Sequence, residues 1–107
     1  MITIKDIIKW SKPHPNSKYL GDGGGKGRMS RFGNNDIEFS IVGGDRGLYG
    51  DFEKTFEVAI FDKNTRKFMT RFFYPEADDD VIPYMPSEKV EKLVNSLVKR
   101  KDLSIEK

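Results

Sequence analysis

Two stretches of this chain alternate apolar and polar residues with the period of a β-strand. DIEFSIV (36–42) sets Ile37, Phe39 and Ile41 against Glu38 and Ser40, and TFEVAIFD (55–62) sets Phe56, Val58 and Ile60 against Thr55 and Glu57. Such segments require a sheet with one packed face and one largely wet face. Two further strands are predicted at RMSRF (28–32) and RKFMTRFFY (66–74). Gly33-Asn34-Asn35 joins the first pair and Lys63-Asn64-Thr65 the second, both hairpin chemistry because Gly and Asn tolerate positive φ. In 66–74, Phe68 and Phe72 compete with Met69 and Phe73 for the core, so alternation does not fix the register.

After the acidic, proline-rich turn PEADDDVIPYMP, the period changes. Val90, Leu93, Val94, Leu97 and Val98 recur at helical spacing, with Ser87 placed as N-cap and Lys99, Arg100 and Lys101 at the C-terminal end. Leu93 and Leu97 are expected to be buried. At the other terminus Thr3 and Asp6 can form a capping box for a helix of about two turns, whose Ile4, Ile7 and Ile8 share a face before Pro13 ends it. The predicted fold is α+β: a four-stranded antiparallel β-meander packed by a C-terminal amphipathic helix, with a short N-terminal helix. With 107 residues there is room for one core, so 1–107 is read as a single domain. Within it, 11–27 is read as a Gly-rich flexible loop.

The chain has no Cys, which excludes a disulfide framework, a thiolate zinc site and a Cys nucleophile. Lys5 and Asp6 interrupt the apolar N-terminus, and no segment reaches membrane-spanning length, so a cytoplasmic protein with no membrane partner is expected. The net charge of +2 conceals a segregation. Residues 1–35 carry seven Lys/Arg against two acids, and 36–62 carry two against seven. An even basic coat for nucleic acid is absent, and mutual attraction of the two segments within the fold is the simplest reading.

Two candidate sites emerge. The basic Gly-rich arm offers Lys18, Lys26, Arg28 and Arg31 for phosphate, with Tyr19 or Phe32 to stack on a base. Its Gly21-Asp-Gly-Gly-Gly-Lys26 run is one residue short of a Walker A loop, and Gly27 stands where Ser or Thr would bind magnesium. The second site is the loop after the 36–42 strand, with Asp45, Arg46, Leu48, Tyr49, Asp51 and Glu53 on a Gly-rich connection. Loops on a rigid sheet concentrate recognition residues, and Tyr and Arg are enriched at interface anchors. Asp36, Glu38 and Glu57 would add charge to that surface. Asp78, Asp79 and Asp80 lack EF-hand spacing and read as a solvated turn, while His14 between two prolines reads as a loop residue. No paired acid–base or nucleophile arrangement is legible, so no catalytic residue, metal or cofactor is assigned.

From Ile41 to Val94 the runs SIVGG, GLYGD, TFEVAIFD and RFFYPEADDDV, followed by the amphipathic helix, resemble short accessory proteins of uncharacterised function encoded by tailed bacteriophages. The resemblance is one of layout and short runs and carries over no functional residue. It implies a non-enzymatic protein of the host cytoplasm that binds and modulates a host protein in counter-defence or host takeover. The alternative is nucleotide or nucleic-acid binding through the basic arm.

Overall fold

The computed structural model describes residues 1–15, 26–45 and 48–106. In chain order these form α1 (Ile4–Lys9), β1 (Lys12–Pro13), β2 (Arg28–Gly33), β3 (Ile37–Gly43), β4 (Thr55–Asp62), α2 (Thr70–Phe73), β5 (Ile82–Pro86), α3 (Ser87–Leu97), a 3-10 turn (Arg100–Asp102) and β6 (Ser104–Ile105). The antiparallel sheet runs β1-β2-β3-β4-β5 as a meander, and β6 pairs with β2. The architecture is α+β with a C-terminal helix, but among the described residues the sheet has six strands rather than four. β1 and β6 share one edge of β2, the first opposite Arg28 and Met29 and the second opposite Phe32 and Gly33. Among the described residues no helix is long and apolar enough to cross a membrane.

The two alternating segments pair along their length, from Ile37↔Asp62 to Val42↔Glu57. The β2–β3 hairpin closes through Asn34, whose Oδ1 accepts from the N–H groups of Asp36 and Ile37. Gly33 is required there, because a Cβ would stand 2.0 Å from the Ile37 carbonyl oxygen.

The predicted fourth strand is the main correction. Only Phe68 bridges to β4, opposite Phe61, and Thr70 opens a helical turn. The Thr70 hydroxyl replaces a strand partner: it accepts from Ile60 N–H at 2.9 Å, while Met69 N–H donates to the Ile60 carbonyl. The strand that does extend the sheet is β5, from the segment read as a turn. Its register shifts between Phe56 and Val58, and Tyr84 adopts φ 53°, which is how a strand holding Pro83 and Pro86 fits a sheet edge.

Phe32, Phe39, Ile41, Phe56, Val58 and Ile60 form the packed face, and Val90, Val94 and Val98 cover it together with Ile2 and Ile7. The buried seam of α3 is thus the valines, and Leu93 and Leu97 are only partly buried against it. Ile8 likewise lies outside the apolar face of α1. The predicted capping box of α1 is present, with Asp6 accepting from Thr3 N–H at 2.9 Å. Ser87 is not a cap. Pro86 holds that position, and Ser87 donates its N–H to the Lys54 carbonyl. The helix ends at Leu97, so the basic run lies beyond it, and Arg100 reaches Asp6 and the Met1 carbonyl.

Asn95 secures the N-terminus by imitating a backbone. Its side-chain amide accepts from Ile2 N–H and donates to the Ile2 carbonyl, both at 2.8 Å, and Glu91 accepts from Ile4 N–H.

Candidate interaction site

The connection from β3 to β4 is built into the sheet. Gly44 N–H donates to the Gly50 carbonyl and Phe52 N–H to the Thr55 carbonyl. Phe52 is buried at φ 62° and packs edge-on against Phe56. Asp51 ties the turn that follows: its Oδ1 accepts from the N–H groups of Glu53, Lys54 and Thr55 at 2.8–3.0 Å. The donors on Lys54, Glu53 and Thr55, in that order of weight, lower its pKa from 3.8 to about 2. Asp51 therefore holds the loop through Oδ1, from an exposed position.

Tyr49 sits where this connection meets β5. Its N–H donates to Glu57 Oε1 and its carbonyl accepts from Tyr84 N–H at 2.9 Å. The Tyr49 and Tyr84 rings meet edge-to-face, centroids 5.9 Å apart, with 49% and 59% of each residue exposed. Two large rings are thus held half in solvent by backbone hydrogen bonds. Beside them lies a hollow of about 340 Å³ walled by Tyr74, Ala77, Val81 and Pro83, with Glu76, Asp78 and Asp79 around it. Asp80 is taken by Arg71 at 3.3 Å. Among the described residues no cation pairs with Glu76, Asp78 or Asp79.

The remaining loop residues have other duties. Asp45 accepts from Lys26 N–H at 3.2 Å, and Leu48 is half-buried. The Glu53 side chain is exposed while its carbonyl accepts from the Ser87 hydroxyl. Arg46 lies outside the described residues.

Of the basic arm's candidate residues, the described arginines and Phe32 are engaged within the chain. Lys18 and Tyr19 lie outside the described residues. Lys26 is exposed, but Arg28 donates to the Ser11 carbonyl and hydroxyl. Arg31 lies 4.0 Å from Glu38 and 3.8 Å from Glu106. Phe32 is 1% exposed and is packed between Trp10 and Phe39, so it has no face to offer a base. The reading of 11–27 as a loop fails at its start, where β1 pairs with β2 and His14 N–H donates to the Gly27 carbonyl. The rest of it, 16–25, lies outside the described residues. The two rival stretches prove to be neighbours: Gly44 is at φ 96°, and a Cβ there would stand 2.8 Å from the Lys26 carbonyl oxygen.

The sheet face turned away from the helices is not wet. Glu38 is 7% exposed and Val42 and Ala59 are buried, because Phe61, Phe68 and two arginines lie across it. Arg66 donates to Glu38, and the Arg31 and Arg66 guanidinium carbons stand 5.8 and 5.6 Å from the Phe61 ring centroid. Burial pushes the Glu38 carboxyl up, but the hydrogen bond from Arg66 and the nearby positive charges hold it below its usual value. Of the three acids expected to supply charge to a partner, Glu38 is consumed internally and Glu57 is tied to Tyr49. Asp36 alone of these is exposed.

Tyr84 and Tyr74 were not singled out by the sequence. The usable signal was a tyrosine between two prolines in PYMP, which marks a residue on an irregular edge rather than in a core. Among the described residues no cluster of His, Asp and Glu could hold a metal ion. No family model, curated protein or solved structure matches the chain.

Proposed function

We propose that this chain is a non-enzymatic binding protein of the phage accessory type, acting in the host cytoplasm by occupying a host protein through the Tyr49–Tyr84 ledge. The observation that carries the reading is the exposure of two tyrosines side by side, their backbones joined by a hydrogen bond and their rings in edge-to-face contact. Exposed aromatic residues fixed by backbone contacts lose little conformational entropy on binding and are typical interface anchors. The runner-up, phosphate recognition by the arm, is weakened by the commitment of Arg28 to Ser11 and of Arg31 to Glu38 and Glu106.

The test is capture from bacterial host lysate by tagged chain, read by mass spectrometry. The probes are the wild type, a Tyr49→Ala/Tyr84→Ala variant and a Lys26→Ala/Arg28→Ala variant. A partner held by the wild type and the arm variant, and lost with the tyrosines, is the expected result. Capture that survives loss of the tyrosines but not of the arm residues, together with tight wild-type binding to nucleotides or single-stranded DNA, would transfer the function to the arm.

A further inference from the structure

Resting on the ledge as the binding surface, we infer that the hollow beside it seats an arginine side chain from a basic segment of the partner. The rings supply the seat. An edge-to-face pair with half of each tyrosine in solvent leaves ring surface available to a flat cation, and Tyr74 adds a third aromatic wall. A guanidinium stacks on such a surface better than an ammonium, because it is planar and more weakly hydrated.

The surrounding charge has the matching sign. Asp78 and Asp79 border the hollow with no ion pair to a cation among the described residues, Glu76 borders it from the side of Lys89 and Lys92, and the three would repel a phosphate. Lys89 and Lys92 stand on the other side of Tyr74, around a separate hollow of about 360 Å³ shared with α3. Glu76 borders both hollows and so stands between those lysines and the tyrosines, whereas Asp78 and Asp79 border only the tyrosine one of the two. These carboxylates do not gather tightly enough to chelate a metal, as noted above, and a spread acidic rim suits an extended basic segment. At about 340 Å³ the hollow lies at the small end of ligand sites, a size for one long side chain rather than a cofactor.

The probe is fluorescein-labelled hexa-arginine, titrated by anisotropy into the full chain, with labelled hexa-lysine alongside. Hexa-arginine should bind more tightly than hexa-lysine, and Tyr49→Ala or Tyr84→Ala should each weaken it about threefold or more. Asp78→Asn/Asp79→Asn should weaken it most at low salt, since exposed charges are screened at higher ionic strength. Amide shifts in a nuclear magnetic resonance titration should centre on Tyr49, Tyr84 and 76–79. Equal affinity for both peptides, unchanged by loss of the tyrosines, would reduce the binding to bulk charge and overturn the inference. Absence of hexa-arginine binding, while partner capture still depends on Tyr49 and Tyr84, would overturn the arginine seat and leave the ledge standing. Peptide binding that needs the tyrosines, with partner capture that does not, would support the seat and remove the ledge from the partner interface.

Discussion

The two ends of the β3–β4 pair both carry aromatic rings and carboxylates, and they use them in opposite ways. At the Ile37↔Asp62 end, Glu38 and Glu106 are met by Arg31 and Arg66, whose guanidinium groups also lie near Phe61. At the Val42↔Glu57 end, Tyr49 and Tyr84 stand in solvent beside Glu76, Asp78 and Asp79, which make no ion pair among the described residues, although Lys89 and Lys92 share a second hollow with Glu76. A set of charges that closes on itself stabilises the fold and offers little to a partner. A set left open does the reverse. That difference is why we propose the tyrosine end as the binding surface although the first end has the denser chemistry.

The core between the ends sets the scale for tests of this contrast. Val94 is fully buried in the valine seam, and Val94→Ala should cost ~2–3 kcal/mol, measured by urea unfolding with an unchanged m-value. Leu93→Ala, at a partly buried position, should cost clearly less. A next, smaller effect is expected at the closed end. Removing one partner of a fully buried pair costs more, but the Arg66 side chain is half exposed, so Glu38→Ala should cost ~1–2 kcal/mol. A midpoint unmoved by Glu38→Ala would mean that the network is ornamental and would erase the contrast.

Acid sharpens it further. The folded-state pKa of Asp51 is about 2 against an ordinary 3.8, so its contribution is complete above the unfolded value and fades as pH falls from about 3.8 through 2. Glu38, also lowered, acts with the same sign. Asp51→Asn keeps an acceptor for the three N–H groups but removes the titration, and should flatten the fall in thermal midpoint over that window. Asp51→Ala should cost roughly 1 kcal/mol at neutral pH, the usual worth of a capping side chain. Asp78→Asn/Asp79→Asn should leave the neutral-pH midpoint where it was, because those carboxylates hold no described cation.

The core was largely legible in the sequence, and of the closed end only the attraction between its two charged segments was, since Glu38 was read as facing a partner from a wet face. Alternation in 36–42 and 55–62 gave the central pair, and helical spacing gave α3, because each pattern has a buried face that repeats. Charge segregation between 1–35 and 36–62 anticipated Arg31 beside Glu38. The segment 66–74 was misread for the opposite reason: with apolar residues at consecutive positions it carries no period, and one hydroxyl, that of Thr70, decided that it would turn away. The β5 strand was hidden by its prolines, which argue against a central strand but are tolerated at an edge. Tyr49 was visible as a loop aromatic. Its partner Tyr84 was not, since their adjacency depends on a single backbone hydrogen bond across 35 positions of sequence. Among the candidate loop residues, sequence could not separate Asp51, which binds its own turn, from Tyr49, which faces out.

The smallest expected effect on stability is the one that decides the comparison. Tyr84 is more than half exposed and meets the rest of the fold mainly through its backbone N–H to the Tyr49 carbonyl, a bond that a substitution keeps. Its φ of 53° is the backbone's own cost and is shared by any L-residue placed there, so Tyr84→Ala removes only ring contacts. The change in unfolding free energy should stay within ~0.5 kcal/mol, as for surface positions generally. Tyr84→Gly should then be stabilising relative to Tyr84→Ala, because glycine alone takes that φ without penalty. Paired urea melts of the two variants measure this directly. A loss as large as that of Glu38→Ala would show that the ring props the fold, and the tyrosine end would join the closed end as structure. Stability kept near wild type, with partner capture lost, is the signature of a surface held ready for something outside the chain.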